Sequence, residues 1–129
     1  MSLCIALAAT VLTIPTMTFS LSWEHSVEKV EWREEWAVTG AGLELRRASV
    51  KGSGAGMEPG EGAVLQDGWW RWKPALAPVS ELRLASSGAT SSGWTLCHAG
   101  GCQALGDAPG REAVLSACEQ DSGAVEPSR

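Results

Sequence analysis

His25 and Glu34 are the residues whose types and spacing best suit chemistry, because both fall on the apolar side of one expected β-hairpin. In Phe19-Ser-Leu-Ser-Trp-Glu-His-Ser-Val27, the side chains of Phe19, Leu21, Trp23, His25 and Val27 share a face, since strand side chains alternate with a period of two. In Val30-Glu-Trp-Arg-Glu-Glu-Trp-Ala-Val38 the shared face carries Val30, Trp32, Glu34, Trp36 and Val38, while Glu31, Arg33 and Glu35 turn away. A four-residue turn over Glu28–Glu31 sets His25 opposite Glu34, Val27 opposite Trp32 and Trp23 opposite Trp36. A two-residue turn at Glu28-Lys29 makes His25 and Glu34 diagonal neighbours, still within reach. Two ionisable groups on a tryptophan-lined face are costly unless they pair with each other or with a ligand. As a pair they could serve as a general base, hold a ligand, or contribute to a metal site with His98. A plainer reading has them fix the strand register and nothing more. Ser26 follows His25 on the opposite face, so a Ser–His nucleophile pair is geometrically poor and catalysis by these residues alone is disfavoured.

Two further motifs bear on the site. Gly52-Ser-Gly-Ala-Gly-Met-Glu-Pro-Gly60 suggests a phosphate loop but lacks the Gly-Lys-Ser/Thr ending, and it opens no evident helix. Its glycines more simply allow positive φ or close backbone approach. Successive N–H groups there could still form an anion-binding nest beside the His25–Glu34 pair. Cys97 and Cys102 flank His-Ala-Gly-Gly, so a hairpin loop places them opposite each other, close enough for a disulfide with local adjustment. Free thiols are the second reading and a metal site with His98 and Cys118 the third. Cys4 lies in an apolar run and reads as a small buried residue.

The elements that must position these residues are short. The chain has 129 residues, 44% of them hydrophobic, with seven Trp, one Phe and no Tyr, so indoles must supply much of the core bulk. Fifteen Gly and six Pro are spread along it, and no long 3.6-period apolar pattern precedes residue 111. This composition predicts an all-β fold, a single small antiparallel sandwich or partly closed barrel of roughly seven to nine short strands. Trp23, Trp32, Trp36, Trp70, Trp72 and Trp94 are expected to be largely buried, with Leu21, Val38, Leu43, Leu45, Leu82, Leu84 and Leu96. The net charge of −5 leaves no basic footprint for nucleic acid or anionic membrane.

The run from Leu3 to Ile14 is apolar enough for a signal core, yet it has no preceding Lys or Arg and no Ala-x-Ala site at a sensible distance. At about 12 residues against the usual ~20, it is too short to span a bilayer. The favoured reading puts Leu3, Ile5 and Leu7 inward on a first strand, with Val11–Ile14 starting a second. Asp67-Gly68 marks a turn, and Trp70 and Trp72 share one side of the strand that follows. Residues 1–105 then form one β domain. Residues 106–129 are expected to be a flexible or weakly helical tail, with a short helix over Arg111–Cys118.

The segments Trp23-Glu-His-Ser-Val-Glu-Lys29, Glu34-Glu-Trp36, Gly52-Ser-Gly-Ala-Gly-Met-Glu-Pro59, Asp67-Gly-Trp69 and Trp94-Thr-Leu-Cys97 with Cys102 resemble domain of unknown function family 1850. The resemblance covers about residues 3 to 105, and His25, Ser26, Glu34, Gly54, Gly56 and Met57 carry the shared pattern. It implies a small bacterial protein, often exported or N-terminally anchored and commonly encoded beside TAXI-type TRAP transporters. The family has no established activity. The expectation is therefore a non-catalytic accessory protein of a solute-uptake system in the periplasm or cell envelope. Without an export signal upstream of Met1 the compartment would be the cytoplasm. Its partners would be transporter components or a small anionic solute, with no cofactor. The rivals are a small hydrolase using His25 and Glu34, and a metal-binding module.

Overall fold

A computed structural model describes residues 1–7, 10–24, 31–51, 60–84, 93–105 and 112–118. Eleven strands run through them, more than the seven to nine expected, and the described residues contain no helix. The strands are β1 (Ser2–Ala6), β2 (Val11–Ile14), β3 (Thr18–Glu24), β4 (Glu31–Thr39), β5 (Gly42–Lys51), β6 (Val64–Gln66), β7 (Trp69–Trp72), β8 (Glu81–Leu84), β9 (Trp94–His98), β10 (Gly101–Leu105) and β11 (Ala113–Cys118). They form two antiparallel sheets, one ordered β2-β1-β11-β8 and the other β10-β9-β3-β4-β5-β7-β6. Among the described residues both sheets keep free edges, so the architecture there is sandwich-like and not a closed barrel.

Alternation decides which side of each strand is buried. Leu3 and Ile5 on β1, Ala113 and Leu115 on β11, and Leu84 on β8 give the small sheet its apolar side. Opposite them, Phe19, Leu21, Trp36, Val38, Leu43, Leu45, Leu96 and Leu105 supply the large sheet's side, and all join one core cluster. Each fully buried Leu or Ile contributes roughly 1.5–3 kcal/mol. The N-terminal apolar run is thus two strands of the small sheet, as its alternation predicts, with Leu3 and Ile5 wholly buried.

Turn chemistry sets several registers. Gln66 pairs with Trp69 across Asp67-Gly68, and both turn residues have positive φ (54° and 84°). That matches a type I′ turn, whose right-handed twist suits a two-residue hairpin. Cys97 lies directly opposite Cys102, and the two are joined by a disulfide with a Cα–Cα distance of 4.0 Å.

Two expectations near the termini are corrected. Arg111–Cys118 is no helix over its described part, because Ala113–Cys118 is β11, seated between β1 and β8 in the small sheet. Its Ala, Val and Leu content is permissive of either state, and pairing on both sides with an alternating buried face decides for the strand. Cys4 is likewise not a lone buried residue: it is bonded to Cys118, tying the first strand to the last.

The tryptophans expected in the core differ in depth. Trp36 is buried, and Trp23, Trp32, Trp70, Trp72 and Trp94 are of intermediate burial, none of them exposed. Leu82 is half-buried as well, whereas the other six leucine and valine positions expected in the core are buried there.

Candidate functional site

Glu34 sits on the inward face of β4, the face that otherwise carries Trp32, Trp36 and Val38. Its position follows from the period of two, since Trp32 and Trp36 lie two residues to either side and must share its face. Both indoles use that proximity. Trp32 Nε1–H donates to Glu34 Oε2 and Trp36 Nε1–H donates to Glu34 Oε1, each at 2.9 Å. The carboxylate is therefore clasped at both oxygens by neutral donors from its own strand. Hydrogen bonds to an ionised acceptor are the stronger kind, so the clasp holds the carboxylate in one orientation.

The register across β3 differs from both turns considered for the hairpin. Leu21 pairs with Glu34, Trp23 with Trp32 and Phe19 with Trp36. The last described pair on this hairpin is Glu24 with Glu31. Glu34 thus faces fully buried Leu21 on one side and Ala48, 1% exposed, on the other. His25 is not its cross-strand partner. His25, Ser26, Gly54, Gly56 and Met57 lie outside the described residues; of the expected binding residues, Glu34 alone lies among them.

Aromatic side chains gather around this end of the sheet. Trp32 meets Trp72 edge-on, with ring centroids 5.6 Å apart and planes at 72°. Trp23 meets Trp94 at 6.0 Å and 58°. Phe19 stacks with Trp36 at 6.3 Å with nearly parallel planes. Such offset and tilted arrangements are the ones the ring quadrupoles favour. A Cβ added at Gly60 would overlap the Trp72 indole, so the backbone at the end of the glycine segment must approach that ring closely. Glu24, Glu31, Lys51 and Trp69 share one register row. Glu24 and Lys51, the last described residues before the segments that hold His25 and the glycine motif, thus lie in one row with Glu31 of β4 between them.

Cysteine and histidine chemistry is narrower than the sequence allows. All four cysteines are in disulfides, so no thiolate is available as ligand or nucleophile. Among the described residues, no three His, Cys, Asp or Glu side chains come together as a metal set. His98 Nδ1 instead accepts a hydrogen bond from the Gly100 N–H at 3.0 Å, which in the neutral ring leaves the proton on Nε2.

The profile of the family described as Domain of unknown function (DUF1850) matches residues 19–105. The chain belongs to that family. The matched span begins in β3 and ends with β10, so it contains all of the large sheet except Thr18, together with β8 of the small one. No curated protein and no solved structure matches the chain. β1, β2, β11 and the Cys4–Cys118 bond lie outside the span that defines the DUF1850 match.

The two indole bonds to Glu34 were readable in principle. Trp-x-Glu-x-Trp on a strand puts two indole donors on the same face as one acceptor. A second feature, on the outward face of the large sheet, gave no motif at all. There an open trough of about 790 Å³ is lined by Thr18, Ser20 and Ser22 of β3, Arg33 and Glu35 of β4, Arg46 of β5 and residues 97–99.

Proposed function

We propose that this DUF1850 protein is a non-catalytic accessory protein of a TRAP-type (TAXI) solute uptake system, acting in the periplasm or cell envelope. On this reading it holds a transporter component or a small anionic solute. The observation that carries the non-catalytic part is the clasp on Glu34. The two indole bonds hold the Glu34 carboxylate in one orientation along its own strand, and its cross-strand neighbours, Leu21 and Ala48, offer no proton to abstract. With every cysteine oxidised, no thiol nucleophile stands ready in its place.

Two disulfides in a chain of this size favour an oxidising compartment, since cytosolic thiols are normally kept reduced. Among the described residues no helix is long and apolar enough to cross a membrane. The transporter link rests on the family resemblance, whose members are commonly encoded beside such systems.

The decisive test is capture of the tagged, oxidised protein from envelope extract, with mass spectrometry of what it retains. Recovery of subunits of the neighbouring transporter, and recovery of this chain by a tagged subunit in return, is the expected result. Retention of no transporter subunit in either direction overturns the accessory reading. Elemental analysis of the purified protein should find no stoichiometric metal; one equivalent would favour the metal-binding module instead.

A further inference from the structure

We propose that the outward trough along β3 is a binding site for a small carboxylate-bearing solute. The inference deepens the accessory reading by naming the ligand class and moving its site to the other face of the sheet. The tryptophan face is ill suited to an anion, because the group fixed at its centre is the Glu34 carboxylate.

The trough follows from side-chain sizes. The outward row of β3 is Thr18, Ser20 and Ser22, three small hydroxyl residues in succession. On one side Ser20 and Ser22 pair with Glu35 and Arg33 of β4. On the other they pair with Cys97 and Thr95 of β9, and the Cys97–Cys102 bond caps that wall. This low row beside the longer Arg33 and Glu35 leaves an open channel, and its volume lies within the ~300–1,000 Å³ range of small-molecule sites.

Its lining is rich in donors. Arg33 and Arg46 bring guanidinium groups, and the three hydroxyls can each donate. Glu35 is the one acidic residue in the lining, and Arg47, outside it, lies 3.9 Å from its carboxylate. Arg33 is held in place by Glu31 at 3.7 Å and by stacking over the Trp69 ring at 4.8 Å. Arg46 is held through Nε by Glu44 at 3.0 Å. These ion pairs are solvent-exposed and weak, and each engages a fraction of the five N–H donors of a guanidinium. What remains on each guanidinium is a set of free N–H donors of the kind that take a carboxylate or a phosphate, and the phosphate arm of the test decides between them.

The backbone adds an independent argument. Glu35 pairs with Arg47 but Trp36 pairs with Leu45, so Arg46 is the extra residue of a β-bulge. The bulge makes two consecutive residues, Arg46 and Arg47, exposed, and resets the buried positions from Leu43 and Leu45 to Ala48 and Val50. Bulges commonly re-aim a side chain in this way. Here the residue re-aimed is one of the trough's two arginines.

The test is an amide-resolved NMR titration of the oxidised full chain with citrate and with succinate, against sodium chloride at matched ionic strength and against inorganic phosphate. Saturable shifts at Thr18, Ser20, Ser22 and Cys97 are expected. Arg46→Gln should weaken citrate binding about tenfold, the loss of one charge-assisted contact. Arg71→Gln, on the same face but outside the trough, should leave it unchanged. Citrate shifts no larger than those of chloride, or equal in Arg46→Gln, overturn the site. Phosphate binding as tightly as citrate overturns the carboxylate assignment. A failed titration beside successful capture of the transporter sinks the trough alone, and the reverse outcome sinks the transporter link alone.

Discussion

Cys4 on β1 and Cys118 on β11 are joined across neighbouring antiparallel strands, with Cα atoms 5.9 Å apart and a sequence separation of 114. Every other strand therefore lies inside one covalent loop. Cross-linking removes unfolded-state freedom in proportion to the logarithm of loop length, so the two disulfides should differ in worth. The long loop predicts about 4–5 kcal/mol, against about 2 kcal/mol for the short loop closed by Cys97 and Cys102. Urea unfolding of a Cys4→Ala, Cys118→Ala variant should show the larger drop in midpoint, and that of Cys97→Ala, Cys102→Ala the smaller. Equal losses would mean that strain or residual structure outweighs loop entropy.

The same bonds bear on compartment. Protein alkylated during extraction and without reductant should carry no label on any of the four cysteines. Full labelling of Cys97 and Cys102 would count against residence in an oxidising compartment.

Gly42 holds the junction between the sheets. It opens β5 with φ of 122°, and a Cβ there would collide with the Val79 carbonyl. That carbonyl accepts from the Leu43 N–H at 2.8 Å, while the Val79 N–H donates to the Leu43 carbonyl at 2.9 Å. This isolated bridge hands the chain from the large sheet to β8 of the small one. Gly42→Ala must both strain the backbone and push Val79 away, so a cost of about 1–3 kcal/mol is expected. Gly40→Ala, with open space around its position, is the control and should unfold within about 0.5 kcal/mol of the wild type.

Much of this fold is legible in residue order, for reasons that differ by element. Phe19, Leu21 and Trp23 announce their face by alternation, and Asp67-Gly68 announces its hairpin by turn chemistry. Cys97 and Cys102 announce their pairing by flanking a short loop. What is not legible depends on partners distant in sequence. Ala113–Cys118 carries helix-compatible residues, and β1 and β8 decide its state from far away. Cys4 gives no local hint of Cys118. No turn signal between Glu24 and Glu31 fixes the register of β3 on β4, so alternation shows the face of Glu34 but not its cross-strand partner, Leu21. The trough has no sequence signature, because it needs β9, β3, β4 and the Arg46 bulge side by side.

The clasp on Glu34 yields a prediction that separates packing from hydrogen bonding. Glu34→Leu keeps bulk on the apolar face but leaves the Trp32 and Trp36 N–H groups without their acceptor. That should cost about 1–3 kcal/mol, the usual penalty for stranding partly buried donors. Glu34→Gln keeps one acceptor oxygen and turns an amide N–H₂ toward the other indole, so its loss should be smaller. In a Trp32→Phe, Trp36→Phe background the donors are gone, and Glu34→Leu should then be nearly neutral or stabilising, because an apolar face no longer has to accommodate a charge. The readout is a double-mutant cycle from urea unfolding followed by far-ultraviolet circular dichroism. A coupling of at least about 1 kcal/mol between Glu34 and the indole pair is expected. Additivity within about 0.5 kcal/mol would show that the clasp contributes nothing to the fold and would remove the orientation argument against Glu34 as a base.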